Sequence, residues 1–188
     1  RSIRRAGGWP AVGFDAVIVC AGLASARLLR PLGLRIPLAP VYGHSISAHI
    51  KETLHAPRSA VMDEHYKVAI SRLGMRVRVA GGAELGGAPD RINPQALKTL
   101  YKVLHDWFPG AVTLQQGVQQ WKGGRPMLPD GPPVIGPSGI PGVWLNLGHG
   151  SSGWALSCGS ARVLADLVGG QDPGIDLEGL GVERLLRD

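Results

Sequence analysis

Three closely spaced glycines, Gly148, Gly150 and Gly153, stand between an apolar segment and a segment with helical character. The run Val143–Leu147 is typical of a buried strand, and residues 154–168 are typical of a helix. Because glycine accepts positive φ and lets the backbone approach a neighbour closely, this spacing favours a tight strand-to-helix turn. The first N–H groups of such a helix carry partial positive charge, which suits an anionic ligand. The alternative is that these glycines serve the turn alone.

The same glycines match the dinucleotide-binding pattern G-x-G-x-x-G letter for letter. That pattern also requires a second parallel strand after the helix and an acidic residue about 20 positions farther on. Here the helical segment is followed by Gly169, Gly170 and a polar tail without a second apolar strand. The turn is therefore not interpreted as a dinucleotide fingerprint.

Two kinds of hydrophobic pattern divide the rest of the chain. An apolar run over residues 14–21 predicts a strand buried on both faces of an α/β sheet, and a short helix is expected over 25–32. After Pro40 the pattern alternates, which predicts antiparallel strands, among them a hairpin centred on Leu73 and Gly74. These patterns predict an α/β (α+β) fold with an inserted β-rich layer.

The clearest helix is predicted over residues 93–108, because Asn93 can cap it and Pro94 suits its first position. Its apolar stripe consists of Leu97, Leu100, Tyr101, Leu104 and Phe108. We further expect a strand over 112–121 and a proline-rich loop over 125–136. The predicted parts of the chain are residues 1–40, 41–118 and 119–188, the middle one carrying the helix.

Composition excludes several functions. The net charge of +6 is scattered and aromatic residues make up only 5%, whereas a nucleic-acid site needs a basic stripe with interleaved aromatics. The six histidines show no Cys/His clustering, so no metal site is expected. Cys20 and Cys158 both lie in apolar segments, which predicts buried, reduced thiols and favours a cytoplasmic setting. We expect no membrane-spanning run and, over residues 1–13, no signal peptide.

Two motifs carry a family resemblance: RPMLPDGPPVIG at residues 125–136 and LNLGHGSSGW at 145–154. Together they resemble the C-terminal end of FAD-dependent D-amino-acid dehydrogenases of the bacterial small-subunit type, in the D-amino-acid oxidase and glycine oxidase superfamily. Residues 14–22, 62–72 and 76–87 add further matches. The resemblance implies a partial FAD-binding Rossmann-like domain, over 1–40 and 119–188, with an inserted antiparallel-sheet substrate domain over 41–118.

The resemblance also implies site residues. The substrate would contact Arg125, Tyr66 and His44, while FAD would lie against Gly22, Gly148, His149, Gly150, Ser151, Ser152, Gly153 and Trp154. No side chain is assigned as a catalytic acid or base, because hydride transfer from a neutral amine to a flavin needs none. Alternatives stay open at this point. Arg125 could pair with Asp130, Tyr66 could be an ordinary strand tyrosine, His149 could be a packed imidazole and Trp154 could be a core aromatic.

Two departures from the family pattern affect the functional interpretation. The family's own phosphate-gripping G-x-G-x-x-G is not among these 188 residues. After Pro40, the family usually has Lys-Gly-Tyr-Ser where this chain has Tyr42-Gly43-His44-Ser45. The leading interpretation is the C-terminal part of an enzyme that oxidatively deaminates D-amino acids. The alternatives are a non-catalytic fragment that cannot hold FAD alone, or a glycine- or sarcosine-type amine oxidase.

The partners implied by the resemblance are a D-amino acid and a quinone or other electron acceptor. The implied location is the cytoplasm, with peripheral association at the inner face of the cell membrane as an open alternative.

Overall fold

The computed structural model describes residues 2–3 and 12–186. Its strands are β1 (Ser2–Ile3), β2 (Val12–Gly13), β3 (Val17–Val19), β4 (Ala39–His49), β5 (Val61–Asp63), β6 (Val68–Leu73), β7 (Arg76–Glu84), β8 (Gln119–Met127), β9 (Val134–Pro137) and β10 (Val143–Leu147). Its α-helices are α1 (Ala24–Leu29), α2 (Pro94–Trp107) and α3 (Gly153–Val168). Short 3₁₀ turns lie at Arg30–Leu32, Thr53–His55, Gly150–Ser152 and Glu183–Leu185. The predicted mixed α/β class is confirmed.

Two compact units are formed by these elements. Unit 1 contains the described residues up to Pro40 together with those from Arg125 onward, and unit 2 is Val41–Gly124. The assignment of these regions to a flavin domain and a substrate domain, with boundaries after residues 40 and 118, stays a prediction.

Unit 1 is built on a three-stranded sheet in the order β3-β10-β9, in which β10 runs parallel to β3 and antiparallel to β9. Alternate residues of β10, including Leu145 and Leu147, are buried with Val19 and Leu29 in its core. Helix α3 follows β10 directly, and its C-terminal half packs through Val163 and Leu164. The sheet therefore holds the strand end and the helix start on either side of the glycine turn.

Unit 2 contains a five-stranded sheet in the order β5-β6-β7-β4-β8. One face of this sheet packs against α2 through a core of Ile46, Val68, Ile70, Val77, Val79, Leu100, Val103 and Leu104. The predicted helix and its cap are confirmed, because the Asn93 side chain accepts hydrogen bonds from the N–H groups of Gln95 and Ala96. The predicted hairpin is confirmed as well, with Gly74 at a φ of +59° between β6 and β7.

Several predicted segments differ from the observed ones. The strand expected over 112–121 is observed later in the chain, as β8 (Gln119–Met127). The loop expected over 125–136 includes the last residues of β8 and the first residues of β9. Strand β8 lies at the sheet edge, a position in which sheets tolerate proline, and it contains Pro126. The helix expected over 25–32 changes to a 3₁₀ turn at Arg30, next to Pro31.

The prediction of buried cysteines was wrong, since Cys20 and Cys158 are both exposed. Strand β3 covers only Val17–Val19 and lies at the edge of its sheet. Val19 is buried but Ile18 is 46% exposed, so the predicted burial of both faces was wrong for this strand. Cys158 lies in the N-terminal half of α3, which is mostly exposed. Among residues 2–3 and 12–186, no helix combines the length and the apolar character that a membrane span requires.

Candidate functional site

A cavity of about 300 Å³ in unit 1 lies at the end of β10 and the start of α3. Five of the predicted cofactor residues line it: Gly22, Gly148, His149, Gly150 and Gly153. They are joined by Cys20, Pro126, Asn146, Leu147, Ser157 and Ser160. Residues from the glycine turn, the end of the first apolar strand and the RPMLPD motif thus share one cavity.

Three predicted cofactor residues are not among those that line this cavity. Ser151 and Ser152 lie on the exposed 3₁₀ turn before α3. Trp154 is 95% exposed, so the alternative that it is a core aromatic was wrong. Its position on the first turn of α3 leaves the indole available to a partner group.

The glycine turn has a steric reason to contain glycine. Gly148 has a φ of +78° and Gly150 a φ of +57°, which is the left-handed region that side chains disfavour. A Cβ on Gly148 would lie 2.4 Å from Leu128 Cδ1, and a Cβ on Gly150 would lie 2.5 Å from Met127 Sδ. The two motifs that carry the family resemblance are therefore in direct contact.

The start of α3 has backbone donors without a side-chain cap. Neither His149, which precedes the 3₁₀ turn, nor Ser152, which precedes α3, accepts a capping hydrogen bond with its side chain. The hydroxyls of Ser157 and Ser160 donate to carbonyls within α3 itself. The positive end of the helix therefore faces the cavity without a carboxylate or hydroxyl cap from the described residues.

Two buried side-chain atoms at this cavity make no hydrogen bond with any described residue. They are Asn146 Oδ1 and His149 Nε2. A buried polar atom without a partner costs about 1–3 kcal/mol, so such atoms usually receive a partner from water or a ligand. Sequence reasoning missed Asn146, although a lone polar residue in the apolar run Val143–Leu147 was a usable signal.

His149 is uncharged near neutral pH in this environment. Burial lowers the pKa of its imidazole below the ordinary value of 6.5. The electrostatic character of the cavity therefore comes from backbone N–H groups and the helix start, not from an imidazolium.

Acidification is expected to destabilise the folded chain through His149. Below about pH 6.5 the unfolded chain binds a proton at this histidine more readily than the folded chain, so the free energy of unfolding falls as pH decreases. The loss stops growing once the pH has passed below the lowered folded-state pKa. Urea unfolding at pH 7 and pH 5 should show a smaller pH effect in His149→Gln than in the parent chain. His105→Gln, at an exposed histidine, is the matched control. An equal loss of unfolding free energy in the parent chain and in His149→Gln would contradict this assignment.

Of the predicted substrate residues, Arg125 belongs to unit 1, whereas Tyr66 and His44 belong to unit 2. Arg125 lies in β8 and is partly buried, and the predicted alternative partner Asp130 is bound by Arg184 Nε at 2.6 Å. The partner that the structure gives Asp130 is thus Arg184, and whether Arg125 binds substrate or serves a structural ion pair stays a prediction. The Arg184 guanidinium also holds the pKa of Asp130 below its usual value.

Tyr66 and His44 both belong to unit 2. Tyr66 lies in the turn between β5 and β6 and its backbone N–H donates to Asp63 Oδ1, so the strand alternative was wrong. His44 is only 2% exposed, and its Nε2 accepts a hydrogen bond from the Asn93 N–H at 3.3 Å. The role of either residue in binding substrate stays a prediction.

A buried charge cluster in unit 2 was missed by the sequence reasoning. The Lys122 side chain is only 3% exposed, and its Nζ lies 3.1 Å from Glu84 Oε1. The same ammonium donates to the carbonyls of Ala88 and Arg91, both at 2.8 Å, and lies 4.4 Å from the centroid of the Tyr42 ring. Lys122 therefore ties the segment between β7 and α2 to strand β8.

The glycine turn and the uncapped helix start suit a ligand that carries negative charge. The family model described as FAD dependent oxidoreductase, DAO, matches residues 1–167. The chain therefore belongs to the DAO family of FAD-dependent oxidoreductases, as the motif resemblance predicted.

Within this family, the chain is similar to proteins named D-amino acid dehydrogenase. The one from Cereibacter sphaeroides is 49% identical over 170 residues, which cover 90% of this chain and 39% of that relative. The one from Bradyrhizobium diazoefficiens is 48% identical over 170 residues, covering 90% of this chain and 40% of the relative. The chain thus spans about two fifths of the length of these curated relatives.

Solved structures show the same fold. The iminodiacetate oxidase from Chelativorans sp. BNC1 is 25% identical with a TM-score of 0.80, covering 93% of this chain and 48% of that chain. The glycine oxidase from Geobacillus kaustophilus has a TM-score of 0.80 at 23% identity, over 95% of this chain and 47% of that chain.

Proposed function

We propose that this chain contributes the flavin-ring side of the cofactor site, and a carboxylate-binding arginine, to an enzyme that oxidises D-amino acids. The observation that carries the proposal is the cavity at the glycine turn, where two motifs pack together beside an uncapped helix start. The similarity to proteins named D-amino acid dehydrogenase supports the substrate class. The family's dependence on FAD supports the cofactor.

The described residues fit a flavin. The positive-φ glycines bring the backbone to the cavity wall without side chains, and Asn146 Oδ1 and His149 Nε2 lack partners among the described residues. The N–H groups of residues 149–153 would stabilise the negative charge that gathers on the pyrimidine end of a reduced ring. Because burial keeps His149 neutral, this stabilisation comes from fixed backbone dipoles.

A bound flavin supplies the acceptor for the hydride that leaves the substrate Cα, giving an imino acid that water converts to a 2-oxo acid and ammonia. The part assigned to Arg125 is to bind the substrate carboxylate with two parallel N–H donors, which fixes the orientation of Cα. The substrate contacts that the resemblance implied for Tyr66 and His44 remain part of this proposal. No general base is proposed, since an uncharged amine already has the lone pair that the imine needs.

The electron acceptor is proposed to be a quinone or another small redox carrier. A cytoplasmic location, with peripheral attachment at the inner face of the cell membrane, belongs to the same proposal. The scattered net charge of +6 is compatible with attraction to an anionic surface.

The substrate role of Arg125 is tested in the whole protein that contains this chain. Arg125→Met is expected to raise the apparent KM for D-alanine about 100-fold with an artificial electron acceptor, because a charge-assisted bidentate contact is lost. The flavin absorbance of the purified protein should stay unchanged. Arg162→Met is the matched control, since Arg162 is exposed on α3 and paired with Asp166.

The outcomes separate the parts of the proposal. An unchanged KM in Arg125→Met would refute the carboxylate role. Equal turnover of D- and L-alanine would refute the D-amino-acid class, and faster turnover of glycine or sarcosine would favour the amine-oxidase alternative. A colourless protein that rejects added FAD would contradict the cofactor assignment.

A further inference from the structure

Unit 2 has a second candidate binding surface on the face of its sheet that points away from α2. Along β7, Val77 and Val79 are buried in the core with α2, so the alternate residues Arg76 and Arg78 lie on the opposite face. In the sheet register, Ser47 of β4 and Ser71 of β6 both stand opposite Arg78. Residues that pair across antiparallel strands share a face, so two hydroxyls flank this arginine.

A groove of about 390 Å³ lies on this face. Its lining includes Ser47, Leu73, Arg76, Arg78, Gln119 and Trp121. No carboxylate of a described residue belongs to the lining. The volume is within the range of about 300–1,000 Å³ that small-molecule sites occupy.

The two arginines differ in their hydrogen bonds, but neither forms an ion pair with a carboxylate among the described residues. Arg76 is fixed, since its Nε donates to Ser47 Oγ at 2.9 Å and its Nη2 donates to the carbonyls of Ser47 and Gly117. These acceptors are neutral, so the positive charge of Arg76 is not balanced by them. The Arg78 guanidinium is exposed and makes no ion pair or hydrogen bond with any residue in the described part of the chain.

We propose that this groove binds a small organic carboxylate that carries an apolar or aromatic group. Arg78 would hold the carboxylate with its two-pronged donor set, and the Ser47 and Gln119 side chains add hydrogen-bond donors. The indole of Trp121 is 57% exposed and, with Leu73, forms an apolar wall for the rest of the ligand. The hydrogen-bond donors on this face are side chains of a regular sheet. A free phosphate would instead favour a nest of successive backbone N–H groups, so a carboxylate is the ligand that fits better.

The proposal does not rest on the proposed function, since none of these residues belongs to the flavin cavity or to the proposed substrate contacts. It is tested by isothermal titration calorimetry of the chain with benzoate and with its uncharged analogue benzamide. The titrations use the Arg125→Met variant, so that benzoate binding at the carboxylate site assigned to Arg125 does not contribute to the measured heat. Failure here and failure of the proposed function are therefore distinguishable.

The expected result is that benzoate binds and benzamide binds at least about tenfold more weakly, because the charge-assisted contact is lost. Arg78→Met should weaken benzoate about tenfold or more, whereas Arg58→Met, at an exposed arginine outside the groove, should leave it within about twofold. Trp121→Leu should weaken benzoate more than acetate, since only benzoate contacts the indole.

Three results would overturn the proposal. One is equal affinity of the parent and Arg78→Met for benzoate, and another is benzamide binding as tightly as benzoate. The third is inorganic phosphate binding more tightly than benzoate, which would make the groove a general anion site. Arg76 is left unchanged in these tests because it also anchors Gly117.

Discussion

Lys122→Met is expected to lower the free energy of unfolding of the chain by about 3–5 kcal/mol. Removal of the ammonium leaves Glu84 without its 3.1 Å partner, and the carbonyls of Ala88 and Arg91 lose a shared donor. Because the Lys122 site is almost wholly buried, water cannot replace these contacts without a rearrangement. Urea unfolding followed by far-UV circular dichroism measures the change.

Matched variants separate burial from charge. Lys102→Met removes the ion pair with Asp106 on the exposed face of α2 and should change the stability only slightly. The double variant Glu84→Gln/Lys122→Met should be more stable than Lys122→Met alone, since it removes the mostly buried carboxylate that has lost its ammonium partner. If Lys122→Met and Lys102→Met cost the same, the cluster does not hold unit 2 together.

Gly148→Ala is expected to destabilise the chain by about 2–5 kcal/mol, from a left-handed backbone that opposes a side chain and from overpacking against Leu128. Its φ is +78°, and its Cβ would lie 2.4 Å from Leu128 Cδ1. Leu128 is itself buried, so it cannot move away without disturbing the core of unit 1. The same change should reduce flavin binding in the whole protein, since Gly148 lines the cavity.

Gly139→Ala is the matched control for this substitution. Gly139 has a φ of +79°, but a Cβ at this position would meet no described atom within 4 Å, so the variant carries the backbone cost of about 1–2 kcal/mol alone. The difference in unfolding free energy between the two variants measures the contact between the two motifs. Equal destabilisation would show that Leu128 yields freely and that the turn is not tightly packed.

Local rules predicted the parts of the fold that depend on neighbouring residues. The cap at Asn93, the proline at position 94 and the apolar stripe specify α2, and Gly74 specifies the hairpin turn. The same reasoning placed a glycine turn before α3 and rejected the dinucleotide fingerprint. The predicted ends of the segments were less accurate. The local sequence does not reveal that β8 lies at the edge of its sheet, where Pro126 is tolerated.

Some features of the candidate site could likewise be predicted from the sequence, and others could not. Periodicity and glycine spacing predicted a tight strand-to-helix turn and left its role in ligand binding open, and the family motifs indicated a flavin. The partner of Asp130 could not be predicted, because Arg184 lies 54 residues farther along the chain. The buried acceptor Asn146 Oδ1 and the Lys122–Glu84 pair were missed for a related reason, since burial is a property of the packed chain.

The sequence by itself therefore determined the class of fold, the glycine turn before a helix and the membership in a flavin-dependent family. These features rest on backbone preferences and on motif spacing within a few residues. Only the tertiary structure decided that Leu128 and Met127 pack on the glycines, that Lys122 is buried with Glu84 and that Arg78 faces a groove without a counter-charge from the described residues. Such contacts join residues far apart in the chain, and their strength depends on how completely the fold removes water around them.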